Sequence, residues 1–106
     1  MDVEHKFNIL IAGDSHFQEA IQRQFSNLQP ALHSAASNQQ IFDLITQHPP
    51  QLMVIQFDAP ALIPFQILDE LAVRQGELTI VMLAANPSTE AVVKCLKMGA
   101  REFLQY

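Results

Sequence analysis

The stretch that most constrains this chain runs from Pro50 to Pro60 and reads PQLMVIQFDAP. Leu52 to Phe57 is a short, nearly unbroken apolar run rich in β-favouring residues. A proline pair precedes it and Asp58-Ala59-Pro60 follows it. A strand buried on both faces reads this way, and such strands belong to the middle of parallel sheets. In an open parallel sheet the working residues stand just past the C-terminal strand ends. Here those residues are Gln56, Phe57 and Asp58. What the crevice above them holds, and what it lacks, decides the function.

The flanking sequence supplies the rest of such a sheet. Phe7 to Ala12 (FNILIA) predicts a first buried strand, with Gly13 and Asp14 at its exit. Ser15, with Gln18 three residues on, reads as a capping box. The helix it starts carries Phe17, Ile21, Phe25 and Leu28 on one face, and Pro30 closes it. Ala31 to Ala36 predicts a weaker strand, at the sheet edge or next to it. Ser37 with Gln40 is a second capping box, followed by the stripe Ile41, Leu44 and Ile45 and the stop at Pro49-Pro50. Past Pro60 and Pro64 a third helix carries Ile67, Leu68, Leu71 and Ala72 and ends near Gly76. Leu78 to Ala84 is a fourth strand. Ser88 caps a fourth helix from about Thr89 to Met98, closed by Gly99. Glu102 to Gln105 is a fifth strand, and the sequence stops at Tyr106.

Strands alternating with helices at this spacing mean βαβ units with right-handed crossovers. The expected fold is α/β and flavodoxin-like. Its five-stranded parallel sheet has order 2-1-3-4-5, with the switch-point crevice between strands 1 and 3. Residues 1–106 are expected to form a single domain, and the final helix of such a fold is missing from this sequence. Without it, Ile80, Met82 or their alternates on strand 4, and Phe103 or Leu104 on strand 5, lose cover on the side of the first helix. The expectation is that the intact protein continues with a helix, or that this face self-associates.

Composition excludes several classes. Nearly half of the 106 residues are apolar, enough for one core, and the formal net charge is −5. That balance argues against nucleic-acid partners and against a membrane surface. The single cysteine, Cys95, excludes an internal disulfide and fits a reducing cytoplasm. No signal peptide is read at the start, and no apolar run is long enough to cross a bilayer. No Gly-rich phosphate loop follows strand 1 (AGDSHFQE), and no Ser/His/Asp or Cys/His constellation stands out. Neither an enzyme nor a cofactor binder is expected.

Set against spacing, the chain resembles the receiver domain of bacterial response regulators (CheY-like) over nearly its whole length. Pro60 lies four residues after Gln56, which gives Gln56 the phosphoacceptor position of that family. Gly13 and Asp14 take the acidic-pair positions, Ala84 the hydroxyl position and Tyr106 the lysine position. Gly99-Ala100 matches the family's Gly-Ala, and Phe103 its aromatic. Of the chemical positions only Asp14 keeps its side chain. The resemblance implies the fold, and equally a dismantled site. An amide cannot replace the carboxylate nucleophile of an acyl phosphate. Mg²⁺ wants several hard oxygens, which Gly13 and Gln56 do not supply. The segment VMLAANPSTEAVVKCLKMGAREFL further resembles the atypical receiver at the N-terminus of CpaE/TadZ-type proteins of Flp/Tad (type IVb) pilus assembly. There a MinD/ParA-like ATPase domain follows. No Walker motif occurs in these 106 residues, so such a domain would lie beyond Tyr106.

Other candidates have two readings each. Asp14 and Asp58 are a residual cation site, or a helix N-terminal carboxylate and a turn-forming aspartate, the latter being favoured. His5, His16, His33 and His48 are scattered without ligand spacing, and His16 is close enough to Asp14 to face the crevice. Cys95 reads as core rather than as a reactive thiol beside Lys94 and Lys97. Lys94, Lys97 and Arg101 would share a helical face. With Phe103 they mark either a partner surface or helix-terminal cations. Of Leu62, Ile63, Phe65 and Ile67, some must pack under the third helix, and Leu62 or Ile63 left exposed would form a docking patch. The expected function is a phosphorylation-independent module that works through protein partners, a homodimer among them. The alternative is a working phosphorelay receiver with an atypical site.

Overall fold

The computed structural model describes residues 7–25, 31–73 and 78–106. Five strands alternate with four helices: β1 (Asn8–Ala12), α1 (Ser15–Phe25), β2 (Ala31–Ala35), α2 (Asn38–Gln47), β3 (Leu52–Gln56), α3 (Pro64–Ala72), β4 (Thr79–Ala84), α4 (Thr89–Lys97) and β5 (Glu102–Gln105). The sheet is parallel throughout with order β2-β1-β3-β4-β5. The weak second strand is therefore an edge. Leu28, expected on the apolar face of the first helix, and Pro30 and Gly76, expected to close helices, lie outside the described residues, as does His5.

Register sorts the apolar side chains onto two faces. Ala12, Ile55, Met82 and Phe103 stand side by side across β1, β3, β4 and β5. With Leu10, Met53 and Ile80 they pack under Ile41 of α2, Ile67, Leu68 and Leu71 of α3, and Cys95 of α4. On the opposite face Ile9, Ile11 and Val54 pack under Phe17 of α1, joined by Ile21, Phe25, Leu32, Leu52 and Leu83. Each large side chain fully removed from water contributes about 1.5–3 kcal/mol, so the three-helix face carries most of the burial. The α1 side is covered less. Phe103, Ile80 and Met82 turn to the three-helix face and keep their cover, which leaves the alternate set as the one that loses it. Their alternates face the thinly covered side, where Val81 and Leu83 are half-buried and Leu104 is 48% exposed.

The helix ends follow local chemistry, with one correction. Ser37 Oγ accepts from Gln40 N–H at 3.2 Å, and Gln40 Oε1 accepts from Ala36 N–H at 2.7 Å, so the capping box reaches one residue further back. Ser88 Oγ accepts from Ala91 N–H at 3.1 Å. Gly99 closes α4 at φ 118°, with Gly99 N–H on Leu96 O and Ala100 N–H on Cys95 O. That is a Schellman ending, and its left-handed residue is best supplied by glycine. Ser15, however, does not cap α1. The β1 ladder runs on to Gly13, whose N–H binds Ala35 O, so the turn falls at Asp14. Asp14 O takes the first helical bond from Gln18 N–H, and its Oδ1 accepts from Phe17 N–H at 2.8 Å. Gln18 instead donates to Gly13 O and Ala35 O.

Arg101 is also corrected. The chain leaves the helix at Gly99, and Arg101 N–H donates to Ile80 O at the entry to β5. It shares no helical face with Lys94 and Lys97. No helix of the described residues is long and apolar enough to cross a membrane.

Candidate functional site

Four strand ends converge on one crevice. β1 delivers Gly13 and Asp14, β3 delivers Gln56 and then Asp58, β4 ends on Ala84, and β5 leads into Tyr106. Tyr106 N–H donates to Ala84 O at 3.0 Å, which extends the ladder to the last residue.

Gln56 is the centre of this group. It is 7% exposed, and its carboxamide is fully engaged. Oε1 accepts from Asp14 N–H at 2.8 Å. Nε2 donates to Asp14 Oδ2 at 3.1 Å and to the Tyr106 hydroxyl oxygen at 3.2 Å. Both amide protons are thereby used. The Tyr106 hydroxyl donates onward to Asp58 Oδ1 at 3.2 Å, and Asp58 Oδ2 accepts from Ala85 N–H at 3.2 Å. The result is a closed polar chain, Asp14–Gln56–Tyr106–Asp58, spanning three strand ends. No buried side-chain nitrogen or oxygen among the described residues lacks a partner, which is how a polar core group avoids its desolvation cost.

The electrostatics follow the bonds. Phe17 N–H, and after it the Gln56 amide, hold the Asp14 carboxyl below the usual carboxylate range. Burial pushes the Tyr106 phenol up, aided by Asp58 and opposed by the bond from Gln56. A carboxylate accepting a backbone N–H favours its charged form.

Gly13 has no room for a side chain. A Cβ there would stand 2.6 Å from the Phe17 ring, 2.7 Å from Gln56 Oε1 and 2.9 Å from Gln56 Cβ. The Phe17 ring edge and the Gln56 side chain together occupy the room a side chain at 13 would need. Beside the network lies a cavity of about 220 Å³, lined by Asp14, His16, Phe17, Gln56, Leu83 and Tyr106.

This arrangement offers no nucleophile at position 56, since a carboxamide is not one at neutral pH. The weak metal candidates, Asp14 and Asp58, lie at opposite ends of the chain of bonds with their oxygens turned to protein donors. Among the described residues no three His, Cys, Asp or Glu groups come together as metal ligands.

The structure thus joins five sequence candidates and separates others. Gly13, Asp14, Gln56, Asp58 and Tyr106 share the crevice, Ala84 frames it, and the exposed His16 sits on its rim. Lys94 and Lys97 are exposed on α4, and Lys94 Nζ lies 4.2 Å from the centre of the Phe65 ring. Phe103 does not join them on the surface. Its strand register turns it inward, with its ring 5.4 Å from Phe57, itself 5.5 Å from Phe65. Cys95 is fully buried, and burial pushes its thiol up, which suits packing and not reactivity. Leu62 and Ile67 are buried while Ile63 is 59% exposed. Two residues that sequence spacing left scattered meet: the His33 and His48 rings stack at 4.4 Å. No periodic signal links an edge strand to the end of the next helix, so that contact was not legible.

Known proteins share this architecture. The Francisella response regulator 1452 receiver domain superposes with TM-score 0.81 at 23% identity, over 94% of this chain and 84% of that one. A Burkholderia pseudomallei response regulator, solved with a phosphorylated aspartic acid, calcium ion and citrate, gives 0.84 at 18% identity. That match covers 94% of this chain and 59% of the other. A CheY-like receiver domain protein from Methanospirillum hungatei JF-1 gives 0.81 at 18%, over 94% and 81%. At these identities the likeness concerns the fold. No curated protein matches at a significant level. The model of the response regulator receiver domain, however, matches residues 9–105, and the chain belongs to that family.

Proposed function

We propose that this receiver domain takes no phosphate and works as a phosphorylation-independent protein-interaction or localisation module, without enzymatic activity or cofactor. One observation carries the reading. The position of the acceptor is held by Gln56, whose amide is saturated by Asp14 and Tyr106. The bonds that a bound cation and phosphoryl group would otherwise receive are made inside the protein. Gln56 is the buried member of the chain, so breaking its bonds would leave a carboxamide unpaired away from water.

The test is incubation with acetyl phosphate, or with beryllofluoride and Mg²⁺, followed by amide NMR and intact mass. No saturable shift at Gln56, Ala84 or Tyr106 is expected. A Gln56→Asp change alone should not create an acceptor, because the second acid, the hydroxyl and the lysine positions remain Gly13, Ala84 and Tyr106.

The second reading, a phosphorelay receiver with an atypical site, has Asp58 in its favour. This aspartate is exposed, stands at the crevice and already accepts from Ala85 N–H. A phosphoryl adduct mapped to Asp58 would establish it and end the first reading.

The finer assignment, a module of a Tad/Flp pilus-assembly protein, rests on the resemblance of the segment from Val81 to Leu104, GAREFL included. Copurification of the intact protein with an ATPase activity and with pilus-assembly components is its test.

A further inference from the structure

His33 and His48 form a contact that the crevice does not use. His33 lies mid-way along β2, the edge strand, and pairs in register with Leu10 of β1. It therefore faces the same side as Ala35, beneath α2. His48 is the C-cap of α2, with its N–H on Leu44 O at 2.7 Å. The two imidazoles lie nearly parallel, at 13°, with centroids 4.4 Å apart. This geometry does not chelate a metal, because the in-plane lone pairs of stacked rings run parallel and do not converge. It is a packing contact between two groups that can each acquire a positive charge near neutrality.

Among the described residues the surroundings offer that charge little relief. β1 carries no titratable residue, and His33 is the one on β2. α2 carries Asp43, which lies one turn back from the C-cap and accepts from Gln39 Nε2 at 3.0 Å. No acid among the described residues of β1, β2 or α2 bonds to either imidazole. Burial, and then the charge of His48, hold the His33 ring below the ordinary histidine range.

We propose that the stacked His33–His48 pair is a pH-sensitive clasp between the C-terminal end of α2 and the edge strand β2. It is closed while the His33 ring is neutral and released when that ring takes a proton. Release stays local. Gln22 Nε2 holds Ser34 Oγ from the other face, and Asn8 binds Gln51 Oε1 and Pro49 O beyond the clasp. A folded-state value below the unfolded one means that the unfolded chain takes up the proton first. The clasp's contribution is thus full above the ordinary histidine range, about pH 6.5, and is lost as pH falls through it.

The experiment follows the imidazole proton resonances of the whole chain from pH 8 to pH 5, with amide exchange at His33 and His48. His33 is expected to titrate below about pH 6.5, and both amides to lose protection, relative to intrinsic rates, as it does so. In His48→Phe, which keeps an aromatic stack without the charge, His33 should bind its proton about fivefold more tightly, the scale of two charges some 4 Å apart in a wet setting. A His33 midpoint at or above the ordinary value overturns the clasp, as does amide protection that ignores the titration. Should His48→Phe fail to fold, the wild-type titration and exchange alone decide. A His33 midpoint unmoved in a folded His48→Phe also overturns it.

Discussion

Gly13 and Gln56 answer each other. Position 13 has no room for a Cβ: the Phe17 ring edge and the Gln56 side chain, Oε1 and Cβ both, stand in it. Gly13→Ala is expected to cost about 1–3 kcal/mol, the usual scale of overpacking in a well-packed interior, as read from urea denaturation. Shortening Gln56 in the same chain should recover part of that loss. The double variant Gly13→Ala, Gln56→Ala would then be less destabilised than the sum of the singles, because the two residues touch. Strict additivity would mean that the contact is not what excludes a side chain at 13. The same reasoning bears on any attempt to rebuild an acidic pair. Gly13→Asp needs Gln56 shortened first, or the new carboxylate meets the amide.

Among the elements, α3 is the one whose N-cap residue, Ile63, supplies no side-chain cap, and Pro64 opens the helix. Proline at the first position removes one unpaired donor, but others remain. The structure fills the gap from α2. Asn38 Oδ1 accepts from Ile63 N–H at 3.0 Å, and Asn38 Nδ2 donates to Ile63 O at 3.4 Å and to Gln66 Oε1 at 3.2 Å. One asparagine thus ties the N-terminal ends of two helices over the same strand ends. Asn38→Ala should lower stability by about 0.5–1.5 kcal/mol, the net worth of an ordinary hydrogen bond. It should also raise amide exchange at Ile63 while leaving α4, capped by its own Ser88, unchanged. An effect spread evenly over all helices would contradict a local clamp. Phe65, near the start of α3, begins an aromatic row with Phe57 and Phe103, and Lys94 of α4 lies over the Phe65 ring.

At the scale of the molecule, the two sheet faces are unequal. Three helices cover one and α1 alone covers the other. On the α1 side, beyond β3, Leu104 is 48% exposed and Tyr106 54%, beside half-buried Val81 and Leu83. Contiguous apolar strips of this kind usually mark interfaces. These 106 residues are therefore expected to self-associate at micromolar concentration in sedimentation, and Leu104→Lys to shift the equilibrium toward monomer. A clean monomer, or a Leu104→Lys variant that associates as before, would defeat the expectation.

The order of strands, the two core faces and most helix ends were legible from the residues alone. They depend on periodicity and on chemistry within a few positions. Ser37, Ser88 and Gly99 act on neighbours in the chain, and Ile41, Leu68 or Met82 are apolar wherever the helix or strand turns them. The positions that make up the crevice were legible too, because strand ends and the spacing from Gln56 to Pro60 are linear properties. What the side chains do there was not. Gln56 meets Asp14 across 42 residues, and Tyr106 meets Asp58 across 48. Whether such groups fall within hydrogen-bond distance of each other is decided by sheet register and by how far each strand runs before it turns. The same holds for Asp14 displacing Ser15 as the cap of α1, for Arg101 leaving the helical face of Lys94 and Lys97, and for the stacking of His33 on His48. A sequence states which donors and acceptors exist; only the packed sheet sets the distances at which a hydrogen bond forms or fails.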